Sequence, residues 1–250
     1  MSAFFLPLGF LLVATIYAMV GMGGASSYLA LLSFTGLGAF KMSTIALSCN
    51  LVVAGSGWFR FSQAGHFKWS ILLPFLVFSI PAAFWGGSMQ MNEATYRLVL
   101  GVLLLIAIPL LVIERKTMEQ HRVHSSINHW VFAAFWGSCI GFVSGLVGIG
   151  GGIFLVPILI LFSFCKTKQA MAVGSAFIFI NSIAGLVAKL QHGTLAYVEL
   201  FFLALAAFVG AQWGASLGSQ KIAEPFLKNI LAAIMLLAAL RLIREGLKIA

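Results

Sequence analysis

The runs of apolar residues in this chain are long and unbroken by polar positions. Residues 98–113 carry no polar or charged side chain, and neither do residues 230–240. Backbone groups in hydrocarbon must be satisfied within the protein, which leaves helix bundles or closed barrels as spanning folds. Barrel strands alternate apolar and polar residues over about ten positions. These runs do not alternate, so they read as helices. The charged share is 8%, against roughly 25% in a soluble domain, so the chain cannot cover itself with a water-compatible surface. The expected fold class is an all-α integral membrane protein in contact with the lipid bilayer. At about 20 residues per crossing, the chain has room for roughly eight apolar segments. They fall at 3–37, 42–62, 69–89, 96–113, 129–164, 170–188, 195–218 and 226–243.

The formal net charge is +9, with six acidic residues, all Glu. In a soluble protein that excess would suggest nucleic acid. In a membrane protein, Lys and Arg in the loops set topology, and an anionic solute is the second reading. No nucleic-acid partner is expected. Cys49, Cys139 and Cys165 lie far apart, without metal spacing, and read as buried, inert thiols. The N-terminus lacks a basic region and a small-residue cleavage pattern, so it reads as a first membrane segment.

The chain repeats itself. AMVGMGGASS from Ala18 matches GLVGIGGGIF from Gly145, an offset of 127. Trp85-Gly86-Gly87-Ser88 matches Trp213-Gly214-Ala215-Ser216 at an offset of 128, which Gln63 and Gln191 share. The expected organisation is an N-terminal repeat over 1–113, a polar cytoplasmic linker over 114–128 and a C-terminal repeat over 129–250. Each repeat contains four apolar segments.

The first segment of each repeat is about 35 residues long and carries a glycine cluster near its centre. Glycine costs about 1 kcal/mol relative to alanine inside a helix, so Gly148, Gly150, Gly151 and Gly152 should break it. Pro157 suits the start of a second helix. Two geometries fit. Each long segment is one interrupted crossing, giving parallel halves, or it folds back as a re-entrant hairpin, giving inverted repeats. Both put the linker with Arg115, Lys116 and Arg122 inside. They differ in the C-terminus, inside for parallel halves and outside for inverted ones. Matching broken helices in two halves favour the inverted arrangement.

A half-helix that starts inside the bilayer points N–H groups and a positive dipole end into the interior. Gly21, Gly23 and Gly24, facing Gly148, Gly150, Gly151 and Gly152, would therefore cradle a small anion. Ser26 and Ser27 would add hydroxyls, and Ile153 and Phe154 replace them in the second half. The bland reading of the glycines is close helix packing. Ser48, Asn50, Ser175, Asn181 and Ser182 are intramembrane polar candidates, set against ordinary interhelical hydrogen bonding. Arg60 and Gln63, with Lys189 and Gln191 in the second half, either snorkel to headgroups or concentrate anions in a vestibule. His66, His192 and Glu199 are candidates for a coupling proton. No catalytic cluster, metal set or cofactor motif appears, so no enzyme and no cofactor are expected.

GLVGIGGGIFLVPIL in the second half and VGMGGASSYLALL in the first resemble the repeated signature of the sulfite exporter family TauE/SafE. The first-half copy has Ala25 and Ala30 where the second half has Gly152 and Pro157. The resemblance covers nearly the whole chain. It implies a multi-pass carrier of the bacterial inner membrane that moves sulfite or an organosulfonate, often outward. A secondary carrier working by alternating access is the leading expectation and an anion-selective channel its rival. The sequence leaves a homo-oligomer open.

Overall fold

The computed structural model describes residues 5–19, 23–112, 129–162, 164–193, 197–217 and 224–249. Among them every regular element is a helix. The helices are α1 (Phe5–Met19), α2 (Ala25–Ser33), α3 (Ala39–Gln63), α4 (Trp69–Ser88), α5 (Glu93–Val112), α6 (His129–Val147), α7 (Gly152–Leu161), α8 (Thr167–Leu190), α9 (Tyr197–Leu217) and α10 (Glu224–Ile249). The linker at 114–128 lies outside the described residues.

Five of these helices are long and apolar enough to cross a membrane: α3, α4, α5, α6 and α8. The two longest expected segments are not single crossings, for a local reason. Glycine clusters cut the first segment of each half, leaving α1 at 15 residues beside α2 at 9, and α6 at 19 beside α7 at 10. A crossing needs about 20 residues, so α1, α2 and α7 are each too short alone.

The distribution of side chains is that of a protein in lipid. Leu8, Leu12, Phe135, Phe201, Phe202 and Leu237 are exposed, whereas Ser26, Ser27, Asn50, Ser144, Asn181 and Ser182 are buried. Hydrocarbon outside offers no partner for a polar group, so such groups turn inward. The chain is a multi-pass membrane protein.

Both cut segments fold back on themselves. Phe10 of α1 stacks on Tyr28 of α2 with ring centroids 4.4 Å apart, and Gly9 faces Leu31. At the start of α6, His129 lies 4.9 Å from Phe164, just beyond α7, and Phe132 lies 4.8 Å from Phe162. Each pair therefore returns toward the end from which it started.

At the centre, α3 and α8 run antiparallel, with Leu47 by Gly185, Gly55 by Phe179 and Gly57 by Ser175. α5 and α10 also run antiparallel, with Gly101 against Ala239 and Ile243, and Gly246 against Ala94 and Leu98. The first helix of each half packs along the fourth helix of the other half. Gly137, Gly141 and Gly145 of α6 sit on Phe75, Ser79 and Ala83 of α4. Gly210 and Gly214 of α9 sit on Leu11 and Thr15 of α1. Small residues spaced by four let these backbones approach closely, and both pairs are parallel.

Candidate functional site

The two glycine breaks meet on the antiparallel α3–α8 pair. The second break is wound left-handed: Gly148, Gly150 and Gly151 have φ of 91°, 80° and 78°. A side chain there would be strained. α7 starts at Gly152 in the buried interior, so its first N–H groups lack intrahelical partners. In the first break Gly24 precedes α2 with φ −92°. Gly21 lies outside the described residues.

Asn50 of α3 is a polar side chain that touches both breaks. It is fully buried. Its Nδ2 donates to Ile149 O at 3.3 Å, and a Cβ on Gly150 would collide with that nitrogen. Its Oδ1 has no partner and lies 2.7 Å from where a Cβ on Gly23 would be. The Ile149 carbonyl fixes the amide orientation, because only the nitrogen can donate to it. Ile178 of α8 also meets Gly23 and Gly150. Its offset from Asn50 is the repeat offset, 178 − 50 = 128. These two positions are thus pseudo-symmetric, but only the first-half one, Asn50, carries a polar side chain.

The other polar candidates inside the bundle fall into three groups. Ser182 joins the centre: its hydroxyl is buried without a partner, 3.3 Å from a Cβ placed on Gly150. Ser48, Ser175 and Asn181 bond back to their own helices, at Thr44 O (2.8 Å), Met171 O (2.9 Å) and Phe177 O (2.9 Å). Asn181 Oδ1 remains without a partner. Ser26 and Ser27 share hydrogen bonds with the Tyr17 hydroxyl at 3.1 and 3.0 Å, within the first hairpin. Gly23 and Gly24, with Gly148, Gly150, Gly151 and Gly152, are closely surrounded by side chains.

Two cavities flank this closed centre. One, of about 230 Å³, is lined by Phe40, Tyr96, Leu146, Lys189 and His192, among others. The other, of about 640 Å³, is lined by Gly55, Ser56, Arg60, Gln63, Phe208 and Gln212 among others. The first lies at the C-terminal end of α8 and the second toward the C-terminal end of α3. Because α3 and α8 are antiparallel, the cavities open toward opposite ends of the bundle. Neither is lined by a residue of 23–24 or 148–152. Each has one basic side chain without a carboxylate within 4 Å among the described residues. Arg60 donates to Gln212 Oε1 at 2.6 Å, and Gln212 donates to Ser56 Oγ at 3.2 Å. Lys189 donates to Leu146 O at 3.1 Å. Gln191 is exposed beside this end. The Glu199 side chain lies outside what is described.

The family model described as Sulfite exporter TauE/SafE matches residues 6–242. The chain belongs to the TauE/SafE family. TauE/SafE proteins are membrane transporters, not enzymes, and so is this one. A relative from Sinorhizobium fredii, "Probable membrane transporter protein y4hK", is 29% identical over 95% of this chain and 97% of its own length. "Probable membrane transporter protein YunE" of Bacillus subtilis is 24% identical, over 95% and 96%. "Probable membrane transporter protein MJ0441" of Methanocaldococcus jannaschii is 24% identical, over 71% and 69%. No solved structure matches this chain.

Sequence reasoning missed Tyr17, Tyr96 and Gln212. Gln212 was visible as the polar residue just before the Trp213-Gly214 marker. Tyr17 and Tyr96 gave no comparable signal. The thiols are free as expected, but Cys139 is exposed and Cys165 half-buried rather than buried. The position of Cys139 on α6 turns it away from the α4 contact made by Gly137, Gly141 and Gly145.

Proposed function

We propose that this TauE/SafE protein is a secondary carrier for a small sulfur oxyanion, sulfite or an organosulfonate, working by alternating access. The family supports the substrate class. The observation that carries the mechanism is the closed centre: two hairpin breaks packed on Asn50 between cavities at opposite ends of α3 and α8. A channel needs a continuous path, whereas a carrier needs a barrier that shifts from one side of a fixed site to the other.

The two halves act as inverted repeats in this reading. Equivalent helices α3 and α8 run in opposite directions, as do α5 and α10, and both hairpins return to their starting ends as re-entrant pairs. Arg60 and Lys189 attract the anion into one cavity or the other. At the centre, the N-terminal ends of α2 and α7, the Asn50 amide and the Ser182 hydroxyl replace its hydration. Rocking of one repeat against the other exposes the centre to each cavity in turn.

Reconstituted protein should show saturable sulfite or sulfoacetate uptake stimulated by the same anion on the opposite side. Currents from single open pores, without counterflow, would overturn the carrier reading. Purified protein should also gain thermal stability with the transported anion, since a ligand that binds only the native state stabilises it. Sulfite, sulfate, thiosulfate, sulfoacetate and taurine make the comparison.

A further inference from the structure

Lys189 is 7% exposed, and its ammonium donates to the neutral Leu146 carbonyl at 3.1 Å. An ammonium has three donors. A buried charge without a counter-charge is costly, and the cavity beside Lys189 is where one would enter. The cavity's own acid is already engaged. Glu93 Oε1 accepts the Ala39 N–H at 2.8 Å, and Oε2 lies 3.7 Å from Arg97. At about 30 Å³ per water molecule, a cavity of about 230 Å³ holds a small hydrated anion.

The same wall holds the end of α6. Leu146 and Val147 are its last residues before Gly148, and helix-terminal carbonyls carry partial negative charge. Lys189 holds the first of them, and the Tyr96 hydroxyl donates to Val147 O at 3.1 Å. Both cap-forming residues line the cavity. A group that draws Lys189 into the cavity therefore takes away one of the side-chain restraints on the segment entering the second break, where the Tyr96 bond and the Asn50 bond to Ile149 O remain.

We propose that an oxyanion entering this cavity binds the Lys189 ammonium and draws it off the Leu146 carbonyl, so that its arrival loosens the second break. This rests on the carrier reading and adds to it a receiving site and a link from that site to the centre. Soluble sulfur oxyanions and the phosphate of a lipid headgroup share the required chemistry; the site takes the soluble anion.

The test uses the full chain in neutral detergent, with sulfite, sulfoacetate and phosphatidylglycerol as separate probes. Affinity is read by calorimetry and opening of residues 145–152 by hydrogen exchange. Sulfite or sulfoacetate should bind wild type and speed exchange at Gly148 and Ile149. K189Q should bind at least tenfold more weakly and show no anion-dependent exchange, whereas K189R should keep binding within about threefold. Y96F should exchange faster at Gly148 before any anion is added. Wild-type affinity in K189Q, unchanged exchange in anion-bound wild type, or a response to phosphatidylglycerol alone would each overturn the proposal. If wild type neither binds nor transports a sulfur oxyanion, the carrier reading falls with it. If transport is intact and K189Q behaves as wild type, only the receiving site falls.

Discussion

Asn50 is where a single side chain can separate packing from transport. Leucine has nearly the same shape, so Asn50→Leu keeps the wedge between Gly23 and Gly150 while removing the bond to Ile149 O. Losing a partner for one buried carbonyl costs about 1–3 kcal/mol, partly offset because the unpartnered Oδ1 also disappears. Thermal unfolding should therefore shift by a few degrees at most, while counterflow falls at least tenfold. Wild-type counterflow in this variant would remove Asn50 from the site. The sequence marked Asn50 only as one of several buried polar residues. Its contact with both breaks depends on where α3 crosses α8, and no local pattern encodes that crossing. Ser26 and Ser27 show the converse. Their position after a glycine cluster made them candidates, but only the folded hairpin reveals Tyr17 against both hydroxyls. Cys165 offers a check outside the membrane-spanning helices. Burial pushes its thiol up to about 12, with Lys68 a smaller opposing influence. The thiolate is the reactive form, so maleimide labelling at Cys165 should be slow at pH 7 and rise about tenfold per pH unit toward 10. Rapid labelling at neutral pH would contradict the burial.

Among the elements, the breaks were legible and the partners were not. Four glycines in five positions, followed by Pro157, state a broken helix through backbone energetics alone, and the structure ends α6 at Val147 and starts α7 at Gly152. The partnership of α6 with α4 was hidden. Gly137, Gly141 and Gly145 are spaced by four, but that spacing marks a contact face without naming what it contacts. The structure gives the answer in backbone atoms: Cβ atoms on Gly141 and Gly145 would run into the Ser79 and Ala83 carbonyls. Backbone cannot swing aside as a side chain does, so Gly145→Val should cost at least the ~1–3 kcal/mol of ordinary overpacking. Denaturant unfolding in detergent should show a lowered midpoint. Gly36 has open space at its Cβ position and a φ of 76°. Gly36→Ala should lose only about 1 kcal/mol, the order set by left-handed backbone in a non-glycine residue. Equal losses in the two variants would mean that the α4–α6 contact is not the close one described.

For the whole molecule, the helix directions fix which loops share an end. The turn between α3 and α4 lies at the C-terminal end of α3. α6 starts at that same end, because it runs parallel to α4 and its His129 adjoins Phe164 before α8. The turn between α2 and α3 lies at the other end, beside Lys189 and His192, where Gly193 meets Phe40. α10 runs antiparallel to α5 and so finishes at this second end. Positive charge in the linker, from Arg115, Lys116 and Arg122, favours the cytoplasm for the first end. Thr35 and Ser62 are exposed in the two turn regions, which makes them reporters. With Cys139 replaced by alanine, Thr35→Cys should react with a membrane-impermeant maleimide added to intact cells. Ser62→Cys should react only after the membrane is permeabilised. A tag after residue 250 should follow Thr35→Cys, because an inverted second half returns the chain to the outside. If the tag and Ser62→Cys were both protected while Thr35→Cys was labelled, the two halves would run parallel. The opposed α3 and α8 could then no longer place one cavity on each side of the membrane, and alternating access about Asn50 would lose its geometry.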